Sequence, residues 1–323
     1  MRRVVQLELG SLDTLVVEEV EPLLPAAHQV VIDVEAAAAS FVDALIAVGG
    51  YQIRPPTPYS PGGDVAGVVS AVGDEVTELA VGDRALAQCG IGGFADQVAV
   101  SREAVLPIPD DLSTTRAATL VQSYATMVFA FTRRVLVQPG ETVLVLGAGG
   151  AIGLAAIDVA RALGLRPIAA ASSEDKLMAA KAAGAELAID YSVGDLRASV
   201  RELAGDGVDL VVDPVGGSYA QPALRSLGPG GRYLVLGFAT GEIPRLTANL
   251  VLLNNRAVIG VDWGAWATHD PALNQDLVRD VLEMAIDGRL HPPEPTTYPL
   301  AEAAAALRRF TDRTAVGKVA LVP

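Results

Sequence analysis

Three glycines between an apolar run and an amphipathic helical pattern are the residues best placed to do chemistry in this chain. Gly147, Gly150 and Gly153 follow the run Val143–Leu146 at a G-x-x-G-x-x-G spacing. Glycines permit a tight turn and a close approach of the backbone to a ligand, and a helix N-terminus adds unpaired N–H groups and a partial positive charge. We therefore predict that three backbone amides bind the pyrophosphate of a dinucleotide, those of Gly150, Ala151 and Ile152.

The end of the next predicted strand distinguishes NADPH from NADH. An acidic residue about 20 residues past the glycines would bind a ribose 2′-hydroxyl, but this chain has Ser172 and Ser173 there. Lys176 follows one helical turn later, and Tyr191 closes the third strand. Because hydroxyls and an ammonium suit a phosphate dianion, which a carboxylate would repel, these four residues favour NADPH. The alternative is that Ser172 is a plain helix N-cap, with Asp175 completing a capping box, although both roles can hold at once.

Composition disfavours several other classes of function. The 323 residues carry a formal net charge of −14, and 51% of them are hydrophobic. An acidic surface disfavours nucleic acid and anionic membranes as partners. The longest apolar run, 143–157, is broken by glycines and is too short to cross a bilayer. With a single cysteine, Cys89, and no recognisable secretory signal, we expect a cytoplasmic protein that acts on a small molecule.

The sequence does not predict a metal site. The three histidines are His28, His269 and His291, and none lies at ligand spacing from another histidine or from Cys89. Zinc sites draw on Cys, His and carboxylates at set spacings. We therefore expect neither a structural nor a catalytic metal.

The pattern of apolar runs changes along the chain and predicts two domains. Residues 1–118 show short apolar runs separated by turn signals such as the Val-Gly-Asp triplets at 72–74 and 81–83, which is typical of a small β-barrel. Residues 119–263 alternate strands with helices, which predicts an α/β fold with a doubly wound parallel sheet. Residues 264–323 are too few for a third core and are predicted to pack back on the first domain. The strands expected after the glycine turn are 168–171, 187–190, 210–212, 233–236 and 258–261.

Several segments carry a resemblance to a known family. They are the block 143–191, Ser40-Phe41-Val42-Asp43, Pro61-Gly62-Gly63-Asp64, Ser123-Tyr124-Ala125-Thr126, Gly237-Phe238-Ala239-Thr240-Gly241-Glu242-Ile243-Pro244, Val261-Asp262-Trp263-Gly264 and Gly317-Lys318-Val319. Over nearly its whole length the chain resembles the zinc-free quinone oxidoreductases of the medium-chain dehydrogenase/reductase superfamily. The resemblance implies a GroES-like substrate domain at 1–118 and 264–323, a Rossmann domain at 119–263 and NADPH between them. It also implies a homodimer in which the last Rossmann strands of two copies pair.

The same resemblance implies a role for each matching position. The 2′-phosphate of NADPH would be held by Ser172, Ser173, Lys176 and Tyr191. The residues near the nicotinamide would be Phe238, Trp263 and Lys318. The substrate side would be lined by Ser40, Asp43, Tyr51 and Thr126. Two positions depart from the family, because Ser40 stands where relatives often have Asn, and Asn254 stands where they often have Lys.

The shortage of metal ligands bears on the reaction. Reduction of a simple ketone is helped by a Lewis acid, whereas a quinone or conjugated alkene is already electrophilic and needs orientation and a proton. We therefore expect hydride transfer from NADPH to such an electrophile. Tyr51 is either a proton source or hydrogen-bond donor, a part that solvent could also play, or a packing aromatic after a turn glycine. Asp43 either caps a helix start or anchors the site by hydrogen bonds. Two alternatives are an enoyl-thioester or alkenal reductase, and an NADPH-binding protein with little turnover.

Overall fold

The computed structural model describes residues 1–323, which divide into two units. Unit 1 consists of Met1–Gln122 and Pro293–Pro323. Most of its strands are antiparallel. Its first elements are β1 (Arg2–Gln6), β2 (Leu15–Glu19), β3 (Gln29–Ala39), α1 (Phe41–Ala47), β4 (Asp64–Val72), β5 (Arg84–Gln88), β6 (Gln97–Ser101), β7 (Val105–Pro107) and α2 (Thr114–Phe129). Strand β3 pairs with β4 and β6, and β4 pairs with β5. Val30, Ile32 and Val65 are fully buried in the core of this unit.

Unit 2, Ser123–Pro292, begins within α2, which ends in a π-helical turn over Ala130–Arg134. Its further elements are β8 (Thr142–Leu146), α3 (Ala151–Ala162), β9 (Arg166–Ala171), α4 (Glu174–Ala182), β10 (Leu187–Asp190), α5 (Leu196–Ala204), β11 (Val208–Asp213), α6 (Ala220–Arg225), β12 (Leu227–Val235), α7 (Ala248–Leu252), β13 (Ala257–Gly260), α8 (Trp263–His269) and α9 (Pro271–Ile286).

The six strands of unit 2 form the parallel sheet that the sequence predicts. Their order is β10-β9-β8-β11-β12-β13, and every neighbouring pair is parallel. The run Val143–Leu146 in β8 is wholly buried, as expected of a parallel strand covered on both faces. The strand order reverses between β8 and β11, and ligands of such sheets bind at the carboxyl ends of the strands beside this point. Only β12 differs much from its predicted bounds, because Leu227 already pairs with Val208.

The chain returns to unit 1 with β14 (Thr296–Pro299), α10 (Ala303–Thr311) and β15 (Val319–Val322). Strand β15 pairs antiparallel with β3 and parallel with β14. The structure divides the chain differently from the predicted boundaries, since residues 264–292 belong to unit 2. The reason is side-chain packing within unit 2: the Trp263 indole N–H donates to Asn274 (3.0 Å), and the rings of Trp266 and Phe129 lie 4.8 Å apart between centroids.

A buried carboxylate on α3 holds the two ends of unit 2. Asp158 is 2% exposed and accepts hydrogen bonds from the Tyr124 hydroxyl (2.8 Å) and the His291 backbone amide (2.6 Å). The apolar pattern of α3 places Asp158 off the buried face, so its burial was not predicted. The two donors offset the cost of removing a carboxylate from water.

Neither unit contains a helix with the length and apolar character needed to span a membrane.

Candidate functional site

The glycine turn between β8 and α3 is packed too closely for side chains at most of its positions. Gly147 has a φ of +59°. A Cβ on Gly153 would lie 2.4 Å from the Gly147 carbonyl oxygen, and a Cβ on Gly149 would lie 2.4 Å from the Cβ of Lys176. The predicted motif leaves out Gly149, yet this glycine brings the turn against α4. Gly150 differs, because its nearest neighbour to a Cβ would lie 3.5 Å away.

Helix α3 begins with open backbone donors. Its N-cap, Gly150, supplies no side-chain hydrogen bond, so the amides of Ala151 and Ile152 have no acceptor within the helix. This arrangement fits the pyrophosphate of a dinucleotide. The prediction for Gly150 needs a correction, because its amide donates to the Gly147 carbonyl (3.0 Å) as the turn closes. Gly150 therefore leaves space for a ligand at the helix end, but its amide does not donate a hydrogen bond to that ligand.

The residues predicted to hold the 2′-phosphate meet at the ends of β9 and β10. Burial and the nearby Tyr219 raise the pKa of Tyr191 to about 12, while hydrogen bonds with the Ser172 side chain and the Gly147 backbone act in the opposite direction. Tyr191 thus joins the serine segment to the glycine turn. The N-cap of α4 is Ser173, without a side-chain capping bond. The alternative interpretation of Ser172 as the N-cap of a capping box is therefore wrong.

Sequence reasoning missed Asp213, which fixes the loop after β11. This residue is 2% exposed, and its carboxylate accepts hydrogen bonds from the amides of Val215 (2.8 Å) and Gly216 (2.9 Å) and from the Tyr233 hydroxyl. Burial raises the pKa of Asp213, and these hydrogen bonds oppose the shift. The loop lies against Phe238, since a Cβ on Gly216 would come within 3.0 Å of that ring. The available signal was an Asp at a strand end before the turn residues Pro-Val-Gly-Gly.

The three residues predicted near the nicotinamide are held in different ways. Phe238 is partly exposed after β12, and Trp263 is directed by its hydrogen bond to Asn274 on α9. Lys318 belongs to unit 1, is 3% exposed and donates from Nζ to the Thr119 carbonyl oxygen (2.6 Å). This contact holds a carbonyl of α2, so the contribution of Lys318 to cofactor binding stays a prediction.

In unit 1, Ser40 and Asp43 form a capping box at the start of α1. The Ser40 hydroxyl donates to the Asp43 carboxylate and accepts from the Asp43 amide (3.2 Å). The same carboxylate accepts from the amides of Ser40 (2.9 Å) and Gly62 (3.2 Å). Burial raises the pKa of Asp43 against these hydrogen bonds. Asp43 therefore both caps the helix and anchors the loop at Gly62.

The capping box limits the predicted substrate role of Ser40. A serine hydroxyl has one hydrogen to donate, and Ser40 gives it to Asp43. In this arrangement the Ser40 hydroxyl has no hydrogen left to donate to a substrate carbonyl, and its place on the substrate side stays a prediction. Ser40, whose side chain is shorter than the Asn that relatives often have there, caps the N-terminus of α1.

A second buried carboxylate, Asp64, lies at the start of β4 and was also missed. Burial and Asp43 raise the pKa of Asp64 to about 7, while the charge of Lys318 acts to lower it. Asp64 is 8% exposed. No group of three His, Cys, Asp or Glu side chains in the chain is placed to hold a metal ion.

Tyr51 and Thr126 are both partly exposed. Tyr51 follows the turn after α1, and Thr126 lies on the part of α2 that belongs to unit 2. Each interacts with other residues of the protein. These contacts do not separate a packing role from a catalytic one, so the substrate roles of both residues stay predictions.

A glycine turn that opens a helix of a parallel sheet, joined in one chain to a mainly antiparallel unit, is typical of two-domain nicotinamide-dependent dehydrogenases and reductases. Comparison with known proteins agrees. Residues 26–110 match the alcohol dehydrogenase GroES-like domain, and residues 151–278 match the zinc-binding dehydrogenase family. Quinone oxidoreductase-like protein 2 from Bos taurus is 38% identical over 309 residues, which are 95% of this chain and 88% of that protein.

Solved structures with the same fold cover the whole chain. A quinone oxidoreductase from Pseudomonas syringae pv. Tomato DC3000 is 30% identical with a TM-score of 0.90, over 100% of this chain and 99% of that one. A mycobacterial protein complexed with NADPH is 27% identical with a TM-score of 0.91, over 100% of both chains. This chain belongs to the zinc-free quinone oxidoreductase family of the medium-chain dehydrogenase/reductase superfamily, as its sequence resemblance predicts. Membership supports an oxidoreductase that uses a nicotinamide cofactor.

Proposed function

We propose that this protein is an NADPH-dependent reductase that transfers a hydride to a quinone or a conjugated alkene without a metal. The observation that carries the proposal is the open N-terminus of α3, held against Lys176 through Gly149. The amides of Ala151 and Ile152 suit a pyrophosphate, and the ammonium of Lys176 suits a 2′-phosphate. NADPH supplies the hydride when it is bound.

The metal-free part of the proposal rests on the donor set. The sequence places no His or Cys at zinc-ligand spacing, and Ser40 and Asp43 are engaged with each other at the start of α1. Without a Lewis acid to polarise a carbonyl, the substrate must already be electrophilic. A hydride and a proton together convert a quinone to a hydroquinone, and they saturate a conjugated double bond. The protein's part is to orient the acceptor and to admit a proton.

A substrate panel tests this proposal. NADPH and NADH oxidation should be followed separately with a benzoquinone, a conjugated enone, an enoyl thioester and a simple ketone. We expect the quinone or the enone to be reduced fastest, and with NADPH. Preference for the ketone would contradict the metal-free mechanism, and equal use of NADH would contradict the choice of cofactor. Preference for the thioester would favour the enoyl reductase, and tight NADPH binding without turnover would favour a binding protein.

Tyr51 is proposed as the proton donor. In that role Tyr51→Phe should lower kcat by about tenfold or more, because general acid catalysis is lost, while the KM for NADPH stays the same. Tyr298→Phe, at a partly exposed position of unit 1, is the matched control. Unchanged turnover in Tyr51→Phe would leave solvent as the proton source and Tyr51 as a packing residue.

We also propose that two copies associate through β13. This strand is the outermost of the parallel sheet, with β12 as its only neighbour. Exposed apolar side chains accompany this edge: Val258 is 39%, Leu252 77% and Leu253 58% exposed. Pairing of two such edges would continue the sheet and cover them. Light scattering should give twice the mass of one chain, and Val258→Pro should give monomers; a wild-type monomer would contradict the pairing. The cytoplasmic location stays a prediction.

A further inference from the structure

A surface pocket of unit 2 adjoins the predicted phosphate residues. Its volume is about 410 Å³, and its lining includes Tyr191, Arg197, Tyr219 and Arg225. The rings of Tyr191 and Tyr219 contact each other, with centroids 4.4 Å apart and planes inclined by 42°. Tyr191 also reaches the serine segment, because its hydroxyl is hydrogen-bonded with Ser172. The pocket therefore shares its aromatic wall with the predicted dinucleotide site.

Two arginines that line this pocket, Arg197 and Arg225, have no ion-pair partner. Neither Arg197 nor Arg225 forms a salt bridge or donates a side-chain hydrogen bond within the protein. The one acidic residue of the lining, Asp195, caps α5 by accepting from the Ala198 amide (3.0 Å). Burial, together with the charges of Arg197 and Arg225, lowers the pKa of Arg256. Three arginines thus concentrate positive charge at one place on a chain whose net charge is −14.

The charges on the first turn of α4 cannot neutralise a phosphate by themselves. Lys176 is preceded on that turn by Glu174 and Asp175, so two carboxylates oppose one ammonium. A phosphate monoester brings nearly two more negative charges at neutral pH. Further cations are therefore needed close to Tyr191, and the arginines of the pocket are the ones that the fold places there.

We infer that the pocket receives the phosphorylated adenosine end of NADPH, and that Arg197 and Arg225 determine the preference for NADPH over NADH. This inference rests on the proposed function, which makes NADPH the cofactor. The tyrosine wall offers an aromatic face to adenine, and guanidinium groups bind phosphate oxygens through paired hydrogen bonds. Selectivity then resides on α5 and α6 as well as on α4.

Charge removal from the pocket tests the inference. Arg197→Gln, Arg225→Gln and the double variant should be titrated with NADPH, NADH and 2′,5′-ADP by calorimetry, after thermal melting has shown that each variant folds. Arg201→Gln, on α5 but outside the pocket lining, is the matched control. We expect the double variant to lose affinity for NADPH and 2′,5′-ADP by about tenfold or more, the value of one charge-assisted hydrogen bond, and its NADH affinity to change by less than about twofold. Replacement of both arginines by lysine should restore part of the loss.

The possible results separate this inference from the proposed function. A wild-type protein that prefers NADPH and a double variant with the same preference would overturn the inference and leave the cofactor assignment intact. Equal losses of affinity for NADPH and NADH would also overturn the inference, because the arginines would then not recognise the 2′-phosphate. A wild-type protein without any preference would remove the proposed cofactor and the inference together.

Discussion

The Ser40–Asp43 segment of unit 1 and the Gly147–Ile152 segment of unit 2 use their polar atoms in opposite ways. In the first, hydroxyl, carboxylate and amides satisfy one another at the start of α1. In the second, the amides of Ala151 and Ile152 begin a helix whose N-cap has no side chain. The segment in unit 1 therefore holds its own loops in place, and the segment in unit 2 leaves donors for a ligand. Loss of a polar side chain from the Ser40–Asp43 segment should therefore change stability, whereas loss of a charge beside the Gly147–Ile152 segment should change ligand binding.

The largest expected effect is the change in the free energy of unfolding with pH that comes from the buried carboxylate of Asp64 in unit 1. The pKa of Asp64 is raised to about 7 from an ordinary 3.8 by burial and by Asp43, so the folded chain retains a proton that the unfolded chain releases. The stability from this group is present in full below about pH 3.8 and declines as the pH rises to about 7, by on the order of 4 kcal/mol. Asp64→Asn should flatten this decline in urea unfolding between about pH 4 and about pH 8.

The control for Asp64 is Asp74→Asn, at an exposed turn of the same unit. This variant should keep the wild-type dependence of the unfolding free energy on pH. An unchanged slope in Asp64→Asn would mean that the Asp64 carboxylate is ionised alike in the folded and unfolded chains.

The next effect concerns the capping box. Asp43→Ala should lower the free energy of unfolding by about 3 kcal/mol, because the amides of Ser40 and Gly62 lose their acceptor. Ser40→Ala removes the N-cap oxygen and one donor to Asp43 but keeps the acceptor of the Gly62 amide, and it should cost about 1 kcal/mol. Urea denaturation of both variants measures the difference. Equal losses would show that the carboxylate does not anchor the loop at Gly62.

Adjacent glycines provide a matched pair in unit 2. Gly149→Ala should destabilise the fold by about 2 kcal/mol, because the new Cβ would lie 2.4 Å from the Cβ of Lys176. Gly150→Ala should cost less than about 1 kcal/mol, since its Cβ has room. Calorimetric melting distinguishes the two. Similar stabilities would contradict the close packing of the glycine turn on α4.

The smallest effect is expected at Lys176. Lys176→Gln should weaken NADPH binding by about fivefold, the value of a partly exposed charge contact, without changing NADH binding. Lys181→Gln, in the last turn of the same helix, is the control and should bind both cofactors like the wild type. A loss for NADH as large as that for NADPH would place Lys176 away from the 2′-phosphate.

The features that the sequence predicts best are those set by neighbours in the chain. The burial of Val143–Leu146 and the parallel sheet follow from continuous apolar runs between helices. The features that it misses depend on distant partners. Asp158 is buried because Tyr124 and His291 supply donors, and Asp213 because Tyr233 reaches it. Periodicity along one helix or strand cannot show such donors.

The same limit explains two of the details that the sequence interpretation had wrong. Ser172 has the spacing of an N-cap, but its hydroxyl is hydrogen-bonded with Tyr191, which follows the neighbouring strand β10. Residues 264–292 could be assigned by pattern to either unit, and contacts of Trp263 with Asn274 and of Trp266 with Phe129 decide the matter. In both cases the deciding partner is a side chain that a local pattern does not contain.

The carboxylate of Asp158 bears on whether unit 2 can be separated from the rest of the chain. Tyr124 and His291 are the second and the second-last residues of unit 2, and both donate to this one side chain. The 170-residue insertion, Ser123–Pro292, therefore starts and finishes at a single place. A segment with adjoining ends can be excised, folded alone or circularly permuted, and the loop-closure entropy that it imposes on its host is that of a short loop.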